Sequence, residues 1–304
     1  MGPARHIAAT LAIAALASLG AAASRPATAP ATRPATAPAD TYPDAKRVDA
    51  CQARREELRR QLDESFAAVV SPPFVVAGNM PASRLQTYAR HSVVRPAEVM
   101  WGRYFRARPA EPITILLLAD AESYRHWSRH LFGDRELPHF GYYRSASRTM
   151  VMNIATGTGT LVHELTHALI APDFPDVPSW FNEGLASLHE QCVVQADDVV
   201  GLTNWRLPAL QKAIRDGKLR PLRELMTQGD FYGRQEGLNY AQARYFVMYM
   251  QHRGVLKAFY EHFRANHEGA EAGVQAVQRV FEDDLGKVEK AFLDWVQTLR
   301  WPAE

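Results

Sequence analysis

The spacing of apolar and polar positions divides the chain into a strand-bearing first part and a helical second part. Over residues 44–70, charged residues surround Leu58, Leu62 and Phe66 at intervals of four, which predicts a helix stopped by Pro72-Pro73. Phe74-Val75-Val76-Ala77 reads as a short strand, and Pro81 opens a second helix expected to reach about Phe105 despite Pro96. Residues 113–118 are a continuous β-branched and leucine run, the pattern of a buried strand. Residues 122–132 return to helical spacing, with Tyr124, Trp127 and Leu131 on one side. Residues 139–144 and 149–154, joined by Ser145-Ala146-Ser147, read as a hairpin at the edge of a small sheet, with 149–154 as the edge strand.

From Thr158 onward the pattern is almost entirely helical, with helices expected over 161–170, 179–191, 205–216, 240–252 and 285–299, separated by Gly and Pro breaks. Strands first and helices after, with the join at Thr156-Gly157-Thr158-Gly159, predict an α+β fold.

Composition adds limits. The chain has 304 residues, 47% hydrophobic and 22% charged, which suits a folded protein and excludes a disordered or disulfide-dense one. Its 35 basic residues are balanced by 33 acidic ones, which argues against a nucleic-acid binder. The first forty residues depart from this average. A short basic opening is followed by an uncharged, alanine-rich run ending in Ala21-Ala22-Ala23, so residues 1–23 read as a signal peptide and the protein as extracytoplasmic. The alternative is that this segment stays as an uncleaved anchor. An octapeptide rich in Pro, Ala and Thr is duplicated over 25–40, and residues 24–43 read as an extended linker. No later apolar run reaches spanning length, the longest being 113–119. The expected organisation is then a helical and strand extension over 44–111 and a catalytic domain over 112–304. The two cysteines, Cys51 and Cys192, could form a bridge in an oxidising exterior or remain two buried thiols.

The chemistry concentrates at the join. His163-Glu164-Leu165-Thr166-His167 places two histidines four apart, on one face of a helix, where both ring nitrogens can reach one metal ion. Glu164, about a hundred degrees around the helix, falls beside such an ion and near its water. Leu161, Leu165, Ala168 and Leu169 supply the apolar face of the same helix. A third ligand is expected on a following helix that packs back. Glu183 lies sixteen residues beyond His167 in Trp180-Phe181-Asn182-Glu183-Gly184-Leu185-Ala186, after a loop carrying Pro172, Pro175 and Pro178. A carboxylate in so apolar a stretch is costly to bury alone, and a cation offsets that cost.

These two segments resemble the gluzincin metallopeptidases, and most closely the peptidase MA-like family of mostly exported bacterial proteins. The similarity runs from about Pro112 to Trp301 and includes Gly141-Tyr142-Tyr143, Tyr240-Ala241-Gln242 and Asp294-Trp295. It implies a small twisted mixed sheet over the active-site helix and a helical C-terminal lobe. It also implies one Zn²⁺ held by His163, His167 and Glu183, Glu164 as general base, and Tyr240 as the donor to the oxyanion. Some gluzincins place an Asp four residues after the ligand Glu to orient a ligand histidine; here that position is Ser187. Glu190 could take this part, although a surface carboxylate is the favoured reading of it. Tyr240, Tyr245 and Tyr249 also recur near helical spacing, so a core stripe competes with the catalytic reading of Tyr240. His189, His252, His262 and His267 lack ligand spacing and read as surface or packing residues.

The expected function is an exported zinc metallopeptidase acting on a peptide or protein. The alternatives are a zinc-containing binding protein of the same fold and a hydrolase of non-peptide bonds.

Overall fold

The computed structural model describes residues 44–233 and 235–302. The signal-peptide and linker readings, 1–23 and 24–43, lie outside the described residues. The architecture is α+β. In chain order its elements are α1 (Asp44–Gln61), β1 (Ala67–Ser71), β2 (Phe74–Gly78), α2 (Ala82–Tyr88), α3 (Arg95–Arg103), β3 (Ile113–Leu118), α4 (Ala121–Phe132), β4 (Gly141–Arg144) and β5 (Thr149–Asn153). The helical half follows as α5 (Gly159–Ile170) and α6 (Ser179–His189), the short strands β6 (Cys192–Val194) and β7 (Val199–Gly201), then α7 (Leu207–Arg215), α8 (Leu222–Thr227), α9 (Glu236–His252), α10 (Leu256–Ala265), α11 (Ala272–Phe281) and α12 (Leu285–Thr298).

Five strands form one mixed sheet in the order β1-β2-β3-β5-β4, parallel at β2–β3 and β3–β5 and antiparallel at both ends. The alternation of side chains along the strands sorts the core into two layers. Phe74, Val76, Ile113, Ile115, Leu117, Met150 and Met152 face one layer, shared with α2, α3, α5 and the helical lobe. Val75, Ala77, Leu116, Leu118 and Val151 face the other, covered by Cys51 and Leu58 of α1 and by Tyr124 and Trp127 of α4. A sheet covered on both sides favours apolar residues at nearly every position, which is why β3 reads as a β-branched and leucine run; its one polar residue, Thr114, is buried and its hydroxyl accepts from Arg54 Nε (2.8 Å).

Two expectations change. The helix expected to reach residue 70 ends at Gln61, because Asp63 Oδ1 accepts from the Ser65 backbone N–H and hydroxyl, turning the chain into β1. The β1 strand pairs with β2 across Pro72-Pro73, so the segment 44–111 contributes two strands to the same sheet as β3. The 149–154 segment is an interior strand, and β4 is the edge. All five residues of β5 are buried, whereas three of the four in β4 are half-buried. Of the two alternatives for the cysteines, the unpaired one holds: Cys51 is buried in the layer under α1 and Cys192 half-buried against the opposite layer, so the sheet separates them.

The helix expected from Pro81 runs through Pro96 by way of a π-helical stretch, Ala89–Val94. Pro96 has no N–H to give to the preceding turn, and the wider turn accommodates that lost bond. Among the described residues, no helix is long and apolar enough to cross a membrane.

Candidate metal centre

The site is built from two helices that follow the sheet. The chain leaves β5 through Gly157, whose φ of 102° is open to glycine at little cost, and enters α5. Leu161, Leu165 and Leu169 are fully buried in the core, and this fixes His163 and His167 on the opposite side of α5.

The return loop to α6 is held by Asp173. Its carboxylate accepts from the backbone N–H groups of Arg106 and Ala107 (2.8 and 2.7 Å), from the Tyr260 hydroxyl (2.6 Å) and from Arg264 (3.1 Å). Trp180, Phe181, Leu185 and Leu188 then anchor α6 in the core. Gly184 lets α6 approach α9 closely. A Cβ there would stand 2.9 Å from Val247 Cγ2 and 3.0 Å from the Ala243 carbonyl oxygen.

This packing brings His163, His167 and Glu183 into one cluster. The two Nε2 atoms are 3.0 Å apart, and Glu183 Oε2 lies 3.4 Å from each. Neighbouring ligand atoms around a tetrahedral zinc, with bonds of about 2.0–2.1 Å, stand roughly 3.3–3.4 Å apart. The triangle therefore has nearly the dimensions of one face of such a tetrahedron. His167 Nδ1–H donates to Asn182 Oδ1 (2.8 Å), which leaves the Nε2 lone pair bare. Glu183 Oε1 accepts from the Tyr232 hydroxyl (2.7 Å), while Glu183 Oε2 is buried with no hydrogen-bond partner. A buried carboxylate oxygen without a donor, facing two imidazole nitrogens, fits a metal ion well.

Electrostatics points the same way. Burial alone would lower the His163 pKa, but Glu183 and Glu190 outweigh it and raise it to about 10. Burial would raise the Glu183 carboxyl, and the two histidines instead hold it far below the carboxylate range. A field that stabilises a proton on His163 stabilises other cations among these three atoms.

The surroundings of the cluster revise one expectation. Glu190 is not a surface carboxylate: its side chain is 11% exposed, and its Oε1 lies 3.2 Å from His163 Nδ1. Arg206 grips the same carboxylate through Nε and Nη2 at 3.0–3.3 Å. Burial would raise the Glu190 pKa, yet Arg206 and His163 hold it down at about 2. The Arg206 guanidinium also lies over the Tyr240 ring, 5.3 Å from its centroid. Tyr245 and Tyr249 are core residues, while Tyr240 is half-buried beside the cluster. Its phenol is pushed up by burial and then by the Glu183 charge.

Glu164 is half-buried. It is close enough to Tyr143 of β4 that its charge, after burial, raises that phenol's pKa. His189 is fully buried and bonded to Thr166. His252 stacks on Trp295, and His267 Nδ1 bonds the Arg264 carbonyl.

No protein-family model and no curated protein matches the chain.

Sequence reasoning missed Asn182, Arg206 and Tyr232. Asn182 had a local signal, since it adjoins the candidate ligand Glu183. Arg206 and Tyr232 had none, because the β6–β7 hairpin and the loop before α9 bring them in.

Proposed function

We propose that the protein is an exported zinc-dependent metallohydrolase of the gluzincin type that cleaves peptide bonds. The observation that supports this best is the convergence of His163 Nε2, His167 Nε2 and the unpartnered Glu183 Oε2 at near-tetrahedral spacing. In this reading those three residues hold one Zn²⁺, which when bound acidifies a water and polarises the scissile carbonyl.

The chain's own residues do the rest. Glu164, adjoining the ligand His163 and half-exposed, takes the proton of the attacking water and passes it to the leaving amine as the C–N bond breaks. The Tyr240 phenol stays protonated across the neutral range and is available to donate to the developing oxyanion. Asn182 fixes the ring plane of His167 through a hydrogen bond, and the Glu190 carboxylate, 3.2 Å from Nδ1, holds the His163 ring by its charge. The edge strand β4 carries Tyr143 beside Glu164 and offers unpaired backbone groups to an extended peptide.

Metal content of the purified protein tests the site, and a peptide library tests the reaction. One zinc per chain is expected in the wild type, with loss in His163→Ala. Glu164→Gln should keep the zinc and lose cleavage by about a hundredfold or more. A wild type free of bound zinc would overturn the site, and cleavage by Glu164→Gln at the wild-type rate would overturn the role of Glu164.

A further inference from the structure

We infer that Tyr232, on the exposed loop between α8 and α9, is a positioning residue that keeps Glu183 a one-oxygen metal ligand and ties metal retention to that loop. The inference rests on the proposed metal site and adds what controls it.

A carboxylate can meet a metal through one oxygen or through both. In Glu183 the two oxygens are already divided between two tasks. Oε2 faces both imidazoles and has no hydrogen-bond donor, while Oε1 accepts from the Tyr232 hydroxyl at 2.7 Å. Two imidazoles and one carboxylate oxygen leave a fourth tetrahedral position for water, which hydrolysis needs; a second oxygen from Glu183 would compete for it. The Tyr232 hydroxyl holds that second oxygen back.

The three ligands are not held in the same way. His167 is oriented by Asn182 and His163 by Glu190, both from α6 or its C-terminal cap and both largely shielded from solvent. Glu183 is oriented by a residue that is 56% exposed. The ring of Tyr232 is therefore set only in part by burial: it rests against the rings of Phe231 and Tyr240, with centroids 5.2 and 6.4 Å away, and the loop fixes the backbone beneath it. Asp230 pairs with Arg220 (2.9 Å), and the Gly233 N–H closes a turn on the Asp230 carbonyl (2.8 Å). Between them Phe231 is buried, and its carbonyl accepts from Asn239 of α9 (2.7 Å). These ties fix the backbone on either side of Tyr232, so its hydroxyl reaches Glu183 from a braced support. The exposed side of the site thus contributes the 2.7 Å hydrogen bond on Oε1, while the half-buried Tyr240 phenol approaches the same carboxylate from α9.

Zinc affinity of the full chain, measured by competition with a chromophoric chelator, tests this in wild type and Tyr232→Phe. The substitution removes only the hydroxyl. Zinc is expected to bind Tyr232→Phe about 10–100-fold more weakly, because the carboxylate is no longer oriented before the metal arrives and the strained four-membered chelate formed by both its oxygens returns little of that loss. The Co²⁺-loaded variant should show weaker d–d absorption than the wild type, as the coordination number rises when Glu183 engages both oxygens. The urea midpoint of the metal-free protein should be unchanged. Equal zinc affinity and identical Co²⁺ spectra would overturn the inference, and so would a loss of metal-free stability large enough to account for the weaker binding. A wild type that binds no zinc would instead remove the metal site itself.

Discussion

Acidification from pH 7 to pH 5 should cost the metal-free protein about 2 kcal/mol through a single side chain, His189. This histidine is fully buried at the end of α6. The Thr166 hydroxyl donates to the Val162 carbonyl (2.8 Å), so His189 Nδ1–H is the donor in its 2.9 Å bond to Thr166, and the ring is neutral. Its Nε2 is buried without a partner. Burial, followed by the nearby charges of His163 and Arg244, lowers its pKa from the ordinary 6.5 to about 3. The folded pKa is depressed, so between these two values the unfolded chain binds the extra proton. Stability is complete above pH 6.5 and falls by about 1.4 kcal/mol per unit below it, until the folded group titrates. The loss by pH 5 depends on the unfolded value alone, because the folded one lies well below that pH. The assay is urea unfolding of metal-free wild type and His189→Gln at both pH values. Glutamine does not titrate, so the stability gap between the proteins should shrink by about 2 kcal/mol at pH 5, whatever the substitution costs at pH 7. Parallel pH curves for the two proteins would refute the reasoning.

Two further substitutions probe how the helices hold the site. Gly184→Ala would put a methyl group 2.9 Å from Val247 Cγ2 and 3.0 Å from a backbone oxygen of α9 that has little room to yield. A loss of about 1–3 kcal/mol is expected in urea unfolding, and wild-type stability would show that the α6–α9 gap absorbs the methyl. Glu190→Gln keeps the shape of the side chain and removes the charge shared by His163 and Arg206. Zinc affinity by chelator competition should fall about 10–100-fold, and an unchanged value would leave Glu190 as a partner of Arg206 only.

What could be read in the sequence follows from how far apart in the chain the interacting residues are. The two histidines share one helix, so their spacing alone places both ring nitrogens on one side, and the apolar residues between them say which side is turned away from the core. Glu183 needed only one more helix and a proline-bearing loop. The α+β class followed from β3 and from the helical run after Thr158. Errors arose where a local pattern fitted two structures. Leu58, Leu62 and Phe66 keep a spacing of four across Asp63-Glu64-Ser65, and only the turn that Asp63 makes with Ser65 shows that the helix has already ended. The β4–β5 hairpin was legible as a pair. Which strand lay outside was not, because that depends on β3, more than thirty residues earlier in the chain.

The same distinction separates the candidate ligands from the groups that hold them. His163, His167 and Glu183 lie within two consecutive helices, whereas Arg206 reaches Glu190 only after the β6–β7 hairpin has turned the chain back. Tyr232 reaches Glu183 from forty-nine residues away, through a loop whose geometry is set by Arg220 and Asn239. A chain could therefore keep the His-Glu-x-x-His spacing and lose the divided carboxylate of Glu183 through one change in that loop. The spacing specifies where a cation could sit; in the proposed site, the distant contacts decide how many oxygens would face it and whether a position would be left for water.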